Sequence, residues 1–325
     1  MNLQNSIKDL KFSIIIPVYN RPQEIEELLV SLTKQSYKKD FEVVVVEDGS
    51  TLSSKEIVEK YSNRLNVAYY FKENSGAGLS RNFGMQKATG NYFIIFDSDC
   101  IIPVNYLNEV DKKLKQKYTD AFGGADAAHK SFTAIQKAIN YSMTSFFTTG
   151  GLRGSKNTIH KFQPRSFNFG ISKNAFEITK GFSAMKIGED IDLTFRLWQH
   201  NFETQFIENA FVYHKRRVSF SQFFKQVFAF GKGRPFLNKK YPETSKLSFW
   251  LPTLFIIGLF IAIVSLLNGF IVPIIIYAFY FIILFFDSLL KNKNIGVAWF
   301  SVVSTCIQFT GYGLGFLVGV LSKTK

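Results

Sequence analysis

Two aspartates separated by one serine are the first residues in this sequence whose spacing suggests chemistry. Asp97 and Asp99 directly follow the apolar run Tyr92–Phe96 (YFIIF), which is typical of a strand covered on both faces. Two carboxylates at the end of a buried strand repel each other and lose solvation. A divalent cation would relieve this repulsion, since Mg²⁺ and similar hard ions bind one or two carboxylates together with phosphate oxygens.

A second acidic cluster opens a predicted helix further along the chain. Glu189, Asp190 and Asp192 follow Gly188 directly. The apolar positions after them have the spacing of one helical face: Ile191, Phe195, Trp198 and Phe202. Acids at a helix N-terminus complement the helix dipole by about 0.3–1 kcal/mol each, which accounts for one of them. We interpret Asp192 as structural and expect the other two to do more.

Apolar runs that predict strands alternate with helical patterns over the first hundred residues. The predicted order is strand, helix, strand, helix, strand, helix, strand over Phe12–Val18, Arg21–Lys34, Phe41–Glu47, Ser53–Tyr61, Val67–Phe71, Ala77–Ala88 and Tyr92–Phe96. Such alternation predicts an α/β fold, a Rossmann-type mostly parallel sheet with helices on both faces. Ligands bind such sheets beyond the carboxyl ends of the strands.

Polar residues collect at these predicted strand ends. The first strand ends in Tyr19-Asn20-Arg21, the second in Glu47-Asp48-Gly49-Ser50, and the fourth in Asp97-Ser98-Asp99. The turn after the third strand carries Asn74-Ser75-Gly76-Ala77-Gly78. Four polar clusters on one edge of the sheet predict a binding site there.

The glycine turn resembles a dinucleotide-binding fingerprint only in part. Arg81 stands where the third glycine would be, and the turn follows the third predicted strand rather than the first. A Rossmann dehydrogenase is therefore disfavoured. Gly76 lets the backbone turn closely, and Arg81 either places a cation near an anionic ligand or pairs with a nearby acid.

Several stretches together resemble the family 2 glycosyltransferases, which have a GT-A fold. The resemblance covers roughly residues 11 to 235 and rests on the order and spacing of four stretches: SIIIPVYNRPQEIEELLVSL, VVVVEDGST, NSGAGLSRNFGMQKATGNYFIIFDSD and GFSAMKIGEDIDLTFRL. It implies an enzyme that uses a nucleotide sugar, with uracil as the usual base.

The resemblance also implies roles on the donor side. Pro17, Tyr19 and Glu47 would line the nucleotide pocket, and Asp48 would bind the base; the family commonly has Asp where Glu47 stands. Asp97 and Asp99 match the DxD motif, so Asp99 would bind Mg²⁺ or Mn²⁺ and Asp97 would face the ribose or the metal. In some relatives a histidine at the position of His214 completes the metal shell, although a structural role is an alternative.

On the acceptor side the resemblance implies that Asp190 is the general base and that Glu189 positions it or bonds the acceptor. The reaction would be a single displacement with inversion. Asn168 and Gly170, on a predicted strand, are candidate acceptor contacts, with a satisfied buried amide as the alternative for Asn168.

The segment Ser219–Arg234 predicts an amphipathic helix suited to a membrane interface, with burial against the catalytic domain as the alternative. Gln226 and Arg234 loosely match the family's Gln-x-x-Arg-Trp element. Its tryptophan is missing, so processive synthesis is not inferred. Lys232 or Arg234 would contact the diphosphate. Before this helix, residues 141–147 predict an acceptor-facing helix and residues 148–154 a mobile loop.

The C-terminal part has the composition of a membrane domain. Three apolar stretches, Ser248–Leu267, Phe270–Leu290 and Gly296–Leu321, each have the roughly 20 residues that cross a bilayer. Two spans and a re-entrant segment are the alternative, because only Asn268-Gly269 separates the first two. We therefore predict a catalytic domain over residues 1–218, an amphipathic basic helix and linker over 219–246, and a membrane domain over 247–325.

Charge and cysteine content indicate the surroundings of the chain. The stretch 211–246 holds nine basic residues and one acidic residue, as expected for positive-inside topology or for anionic lipid head groups as partners, and not for nucleic acid. The chain has two cysteines, and residues 1–10 lack the apolar core of a signal peptide. We expect a multi-pass protein of the cell membrane with its catalytic domain on the cytoplasmic side.

The sequence therefore predicts a membrane-anchored inverting glycosyltransferase. Its expected donor is a UDP-sugar, its cofactor Mg²⁺ or Mn²⁺, and its acceptor a carbohydrate hydroxyl on a lipid-linked intermediate or a surface polysaccharide. One alternative is a sugar nucleotidyltransferase, which would want a glycine- and arginine-rich loop after the first strand. The other is a non-catalytic membrane scaffold, which would have no need of all four aspartates at 48, 97, 99 and 190.

Overall fold

The computed structural model describes residues 9–150 and 161–322. These residues form two compact units. The first comprises residues 9–127 and 161–214, and the second comprises 128–150 and 215–322. Residues 1–8, and residues 151–154 of the predicted loop, lie outside the described ranges.

The first unit is built on a seven-stranded sheet. Its strands are β1 (Phe12–Val18), β2 (Glu42–Asp48), β3 (Asn66–Lys72), β4 (Tyr92–Phe96), β6 (Ala121–Gly123), β8 (Asn168–Ser172) and β9 (Thr204–Phe206). The strand order is β3-β2-β1-β4-β8-β6-β9. β1, β2, β3 and β4 are mutually parallel, and β8 runs antiparallel to both β4 and β6. The predicted mostly parallel α/β sheet is confirmed.

Helices follow most of these strands in the first unit. They are α1 (Pro22–Leu32), α2 (Lys55–Glu59), α3 (Ala77–Lys87), α4 (Tyr106–Gln116), α7 (Lys173–Thr179) and α8 (Glu189–Gln199). In α1, Pro22 occupies the first turn, where its missing N–H costs no hydrogen bond. Two separate apolar clusters pack on the sheet: one includes Ile14 and Ile16, the other Ile15. Because successive strand residues point to opposite faces, both faces of the sheet are covered.

A small second sheet lies beyond the end of β4. Its strands are β5 (Cys100–Ile101), β7 (Asp126–Ala127) and β10 (Val212–His214), in the order β5-β10-β7. β5 and β10 pair antiparallel, with Cys100 opposite His214. This pairing brings His214 beside Asp99 although more than a hundred residues separate them in sequence.

The order of the large sheet creates a switch point between β1 and β4. The chain leaves β1 toward β2 on one side, whereas β4 pairs with β1 on the other. Crevices at such switch points are the usual ligand sites of open α/β sheets. The residues after β1 and after β4 flank this crevice.

The second unit is helical in its described residues. Its helices are α5 (Ala134–Thr144), α6 (Phe146–Thr149), α9 (Phe220–Lys240), α10 (Leu251–Leu267), α11 (Val272–Asn292) and α12 (Ile295–Leu321), with short 3₁₀ turns at Pro242–Thr244 and Leu247–Trp250. Three of its helical segments are long and apolar enough to cross a membrane: Leu247–Leu267, Val272–Asn292 and Ile295–Leu321. They match the three predicted spans.

Glycines on α12 allow α9 to pack directly against its backbone. A Cβ added to Gly315 would lie 2.1 Å from the Phe228 carbonyl oxygen, and one on Gly319 would lie 2.5 Å from the Lys232 carbonyl oxygen. Small residues spaced by four allow this close approach of two helices. Part of the apolar face of α9, Phe223 and Val227, is buried with residues of α5.

Residues 128–150 belong to the second compact unit, although the sequence analysis included them in the predicted domain 1–218. The predicted boundaries at 218 and 246 remain predictions.

Candidate active site

Asp99 lies after β4 and pairs with side chains from two other strand ends. Its Oδ2 accepts a hydrogen bond from Nη1 of Arg21, which follows β1, at 2.5 Å. Its Oδ1 lies 3.3 Å from Nε2 of His214, at the end of β10. Burial raises the pKa of Asp99, but His214 and Arg21 lower it more, so the carboxyl's pKa lies below its ordinary value.

The ring of His214 is fixed in place by its surroundings. It stacks on Phe167, with ring centroids 4.6 Å apart and an interplanar angle of 19°. Its backbone is held opposite Cys100 in the small sheet. Asp99 and His214, the two side chains of the predicted metal site, therefore lie close together, and both are largely buried.

Arg81 of α3 connects the first aspartate of the DxD motif with the second acidic cluster. One of its guanidinium nitrogens lies 2.6 Å from Asp97, and another lies 2.9 Å from Glu189. The guanidinium also lies over the ring of Phe182, 5.1 Å from its centroid. Arg81 is only 3% exposed, which makes it a buried bridge. Its pairing with nearby acids is the second of the two roles that the sequence allowed.

The pKa of Glu189 is raised by this environment. Burial and the neighbouring Asp190 carboxylate raise its pKa, and Arg81 opposes them without cancelling the effect. Gly78, in the first turn of α3, lies beside it: a Cβ there would be 3.5 Å from Cγ of Glu189. The glycine turn and the second acidic cluster are thus adjacent, as the prediction of a single site requires.

Asp190 is held less tightly than its neighbours. Its Oδ1 accepts from the N–H of Ile191 at 2.8 Å, while Oδ2 has a longer contact of 3.4 Å with the N–H of Ser166. The guanidinium of Arg165 is 3.9 Å from the same oxygen. Asp192 differs: it is fully buried and paired with Arg196 at 2.9 Å, which fits its predicted structural role.

Asp48 ends β2 and accepts hydrogen bonds from donors of the neighbouring strand end. Lys72 Nζ lies 2.6 Å from its Oδ1, and the backbone N–H groups of Ser75 and Gly76 donate at 2.9 and 2.8 Å. Gly76 has φ of 92°, a conformation that favours glycine, so the turn can present its N–H. Burial raises the pKa of Asp48, but the donors, Lys72 first among them, lower it overall.

Glu47, predicted to line the nucleotide pocket, is buried beside Asp48 at the end of β2. It has no exposed surface, and its oxygens accept from the N–H of Ser54 at 3.0 Å and from the hydroxyls of Ser53 and Tyr69. These hydrogen bonds tie Glu47 to the turn at Ser53 and Ser54. Glu47 holds the loop that follows Asp48, and its predicted contact with the nucleotide remains a prediction.

The turn after β1 is tied to the loop after β2. Asn20, with φ of 52°, accepts from the N–H groups of Thr51 and Leu52 at 2.8 and 2.9 Å through Oδ1. These hydrogen bonds fix Asn20, the residue between Tyr19 and Arg21, against the loop after β2. Tyr19 is 52% exposed at the rim, whereas Pro17 is buried within β1.

Two predicted acceptor contacts belong to the core. Asn168 is fully buried: its Nδ2 donates to the Ala210 carbonyl at 2.8 Å, and its Oδ1 accepts from the Tyr106 hydroxyl at 2.5 Å. A Cβ on Gly170 would lie 2.0 Å from the ring of Phe122, so Gly170 makes room for that ring. The hydrogen bonds of Asn168 are those of the satisfied buried amide that the sequence left as the alternative. The acceptor contacts predicted for Asn168 and Gly170 remain predictions.

The other three predicted contacts lie on α9 in the second unit. Lys232 is exposed and Gln226 half-buried. Arg234 is buried, lies 3.8 Å from the ring centroid of Phe249, and donates to Asn238 at 2.9 Å and to the Thr244 carbonyl at 3.1 Å. These contacts fix Arg234 against the linker that follows its helix. Contact of the three residues with a diphosphate remains a prediction.

Two cations that complete the site were missed as site residues. Arg21 and Lys72 each neutralise one predicted aspartate, Asp99 and Asp48 respectively. Both lie at the end of, or directly after, a predicted strand. Their position at the same predicted sheet edge could therefore have identified them as site residues from the sequence.

The side chains around Asp99 fit a divalent cation. Oδ1 of Asp99 is buried and has no hydrogen-bond partner among the described residues. A carboxylate oxygen and an imidazole nitrogen 3.3 Å apart are suitable ligands for Mn²⁺, and the carboxylate suits Mg²⁺. Without an ion, this buried oxygen has the contact with His214 at 3.3 Å, and a cation between the two groups would coordinate both.

Comparison with known proteins bears on this site. A family model described as Glycosyl transferase family 2 matches residues 13–178, just over half of the chain. Poly(ribitol-phosphate) beta-N-acetylglucosaminyltransferase TarS of Staphylococcus aureus is 39% identical over 135 residues, which are 40% of this chain and 22% of TarS. Glycosyltransferase GlyA of Streptococcus pneumoniae is 37% identical over 113 residues, 34% of this chain and 16% of GlyA. The matches thus span about a fifth of the length of these relatives.

Solved structures show the same fold. The crystal structure of S. aureus TarS has a TM-score of 0.51 and 27% identity, and the match covers 69% of this chain and 39% of TarS. The mannosyltransferase PcManGT of Pyrobaculum calidifontis, in complex with GDP-Man and Mn²⁺, has a TM-score of 0.61 at 14% identity, over 93% of this chain and 87% of that one. The first unit is therefore GT-A-like.

Proposed function

The chain belongs to glycosyl transferase family 2, and on that premise we propose that it moves a sugar from a nucleotide sugar to a hydroxyl acceptor, with inversion. The donor is a UDP-sugar. The acceptor is a carbohydrate on a lipid-linked intermediate or a surface polysaccharide. Membrane anchoring is supported by three helical segments that are long and apolar enough to span a bilayer.

The single observation that carries the proposal is the bridge made by Arg81. It joins Asp97, on the donor side, to Glu189, the residue before the proposed base, through contacts of 2.6 and 2.9 Å. Transfer requires donor and acceptor groups in one place, because the reacting atoms must approach to about 3–3.5 Å. A bridge of this kind between distant motifs supports one catalytic pocket.

The base-binding role of Asp48 is supported by its rigid position. Three donors hold its carboxylate at the end of β2, and they keep it ionised. An ionised, immobile carboxylate is a good acceptor for the N–H of a uracil ring. Tyr19, exposed at the same sheet edge, is the proposed neighbour of the base or ribose.

Asp99 and His214 would hold Mg²⁺ or Mn²⁺. When bound, the ion would stabilise the charge that develops on the leaving diphosphate. Arg21, 2.5 Å from Asp99, keeps that carboxylate oriented and adds positive charge at the same place. Arg81 orients Asp97 toward the ribose side.

Asp190 is the proposed general base, and its hydrogen bonding supports this. Among the residues that the structure describes, its Oδ2 has the long contact of 3.4 Å to a backbone N–H and the 3.9 Å approach of Arg165, which leaves it able to accept an acceptor's hydroxyl proton. Glu189 sits one residue earlier and is tied to Arg81. The hydroxyl oxygen attacks the anomeric carbon as its proton passes to Asp190, and the nucleoside diphosphate leaves from the opposite face.

The proposal is tested by nucleotide release from a panel of sugar nucleotides. Since the relative TarS is named an N-acetylglucosaminyltransferase, its sugar is the first to include. Release that depends on one UDP-sugar and on an added acceptor, with an inverted anomeric configuration in the product by NMR, is the expected result. Retention of configuration would refute the single displacement, and release from no donor in the panel would refute the donor class.

A further inference from the structure

We propose that the thiol of Cys100 is a third protein ligand beside Asp99 and His214, so that this site binds the thiophilic ions Zn²⁺ and Cd²⁺ more tightly than Mg²⁺. The inference rests on the proposed function, because it concerns the same metal site. It assigns to Cys100 a role that the DxD pattern does not include.

Geometry brings the three donors together. Cys100 and His214 are directly opposite in the antiparallel pair β5–β10, and opposed residues in such a pair project from the same face. Asp99 is the residue before Cys100. One carboxylate oxygen, the thiol sulfur and one imidazole nitrogen all lie within 4.8 Å of one another. Donors bound to one ion at about 2.0–2.3 Å must lie within such a distance of each other.

An independent feature points to a ligand at this place. Asp99 is 8% exposed, and its Oδ1, the oxygen that faces His214, has no hydrogen-bond partner among the described residues. Its other oxygen is already used by Arg21. A cation between the thiol and the imidazole would also coordinate this oxygen, which the ring of His214 approaches to 3.3 Å.

The thiol is weakly engaged by the protein itself. Its sulfur donates to the Phe167 carbonyl at a distance of 3.6 Å. A buried cysteine is often a simple apolar residue, and Cys100 does belong to a core cluster. That explanation accounts for its burial, but not for its placement opposite His214 and beside the Asp99 carboxylate.

The donor set determines which ions are preferred. A thiolate and an imidazole suit Zn²⁺ and Cd²⁺, whereas Mg²⁺ takes oxygen ligands. On binding, the metal–sulfur bond replaces the S–H bond, and the proton leaves to solvent. Mn²⁺, which accepts carboxylate and imidazole, can bind here without the sulfur.

The test is a Cd²⁺ titration of the full chain in detergent, followed by ultraviolet thiolate-to-metal charge-transfer absorption. Cys100→Ser removes the sulfur from the site, and Cys306→Ser, in α12, is the matched control. The band is expected in the wild type and in Cys306→Ser, and not in Cys100→Ser. Zn²⁺ affinity should fall at least about 10-fold in Cys100→Ser. Mn²⁺ affinity should change less than about threefold, because Mn²⁺ binds through the carboxylate and the imidazole and Cys100→Ser leaves both unchanged.

Near-ultraviolet circular dichroism identifies a variant that fails to fold, and Cys100→Ala then serves as the second variant. A charge-transfer band that persists without Cys100, or is missing from a wild type that still binds Mn²⁺ and transfers sugar, would overturn this inference alone. A wild type that binds neither Mn²⁺ nor Cd²⁺ and transfers no sugar would refute the proposed function instead.

Discussion

Asp97 and Glu189 are bound to the same guanidinium group, at 2.6 and 2.9 Å from two nitrogens of Arg81. The two acids come from the end of β4 and the start of α8. Their shared partner places the DxD motif and the second acidic cluster next to each other. If the two motifs lay on opposite faces of the sheet, they could not act on one bound sugar nucleotide, and the chain could not be a transferase of this kind.

Arg81→Lys tests whether the bridge positions the site. Lysine keeps the charge but cannot bind both acids in the planar arrangement of arginine. We expect kcat to fall at least about 100-fold, since misplacement of catalytic groups by about 1 Å has that effect. Arg196→Lys is the control because it weakens another arginine–carboxylate pair, with Asp192 on α8, and leaves the contacts of Asp97 and Glu189 in place. If both variants lose kcat equally per folded molecule, Arg81 only stabilises the fold.

Asp190→Asn tests the proposed base. Turnover is expected to fall about 10²–10⁴-fold, which is what a positioned general base contributes. Nucleotide affinity, measured by calorimetry, should stay within about twofold, because Asp190 is not placed on the donor side by our account. The matched control is Asp192→Asn, which should lower the midpoint of thermal unfolding and leave the base in place. A large loss of nucleotide affinity in Asp190→Asn would move this residue into the donor pocket.

Asp48→Asn tests whether the donors around Asp48 hold an ionised carboxylate that stabilises the fold. Because the folded pKa of Asp48 is lowered, its charge stabilises the fold above the unfolded pKa of about 3.9, and this stabilisation is lost as pH falls through the folded value. The variant should be about 1.5–3 kcal/mol less stable between pH 5 and 7, from the loss of hydrogen bonds to a charged group.

The difference in the free energy of unfolding between Asp48→Asn and the wild type should then shrink below about pH 4. Thermal unfolding of both proteins across this range measures it. A difference that grows as the pH falls would have the wrong sign for an ionised Asp48.

Gly315→Ala tests the close packing of α9 on α12. Alanine normally stabilises a helix by about 1 kcal/mol relative to glycine. Here its Cβ would lie 2.1 Å from the Phe228 carbonyl oxygen, so we expect a lower unfolding midpoint. Gly296→Ala is the control, because the nearest atom to its Cβ lies 3.3 Å away, at the flexible side chain of Asn294. Equal midpoints for the two variants would show that the helices do not pack this closely.

Sequence patterns predicted the strands and the sheet edge well because those signals are local. Apolar runs such as Tyr92–Phe96 and the polar residues after them are sufficient to place Asp97 and Asp99 at a strand end. The partners of these residues could not be predicted in the same way. Arg21 and His214 reach Asp99 from distant parts of the chain, and only the strand order brings them there.

Two residues predicted to contact a ligand, Glu47 and Asn168, are buried in the structure. Glu47 and Asn168 have the residue types of binding groups, and both stand beside the site in sequence. Their hydrogen bonds to Ser54 and Ala210 show that the fold already uses them. A sequence cannot distinguish a polar side chain that faces a ligand from one that holds a loop, because both lie next to the same strand end.

The most direct test of the central claim is calorimetric titration of UDP with and without Mn²⁺, on the wild type and on Asp99→Ala. The account predicts that UDP binds the wild type far more tightly with Mn²⁺ and that Asp99→Ala abolishes this dependence. UDP affinity that is the same in all four titrations would contradict a metal-assisted nucleotide site at the end of β4.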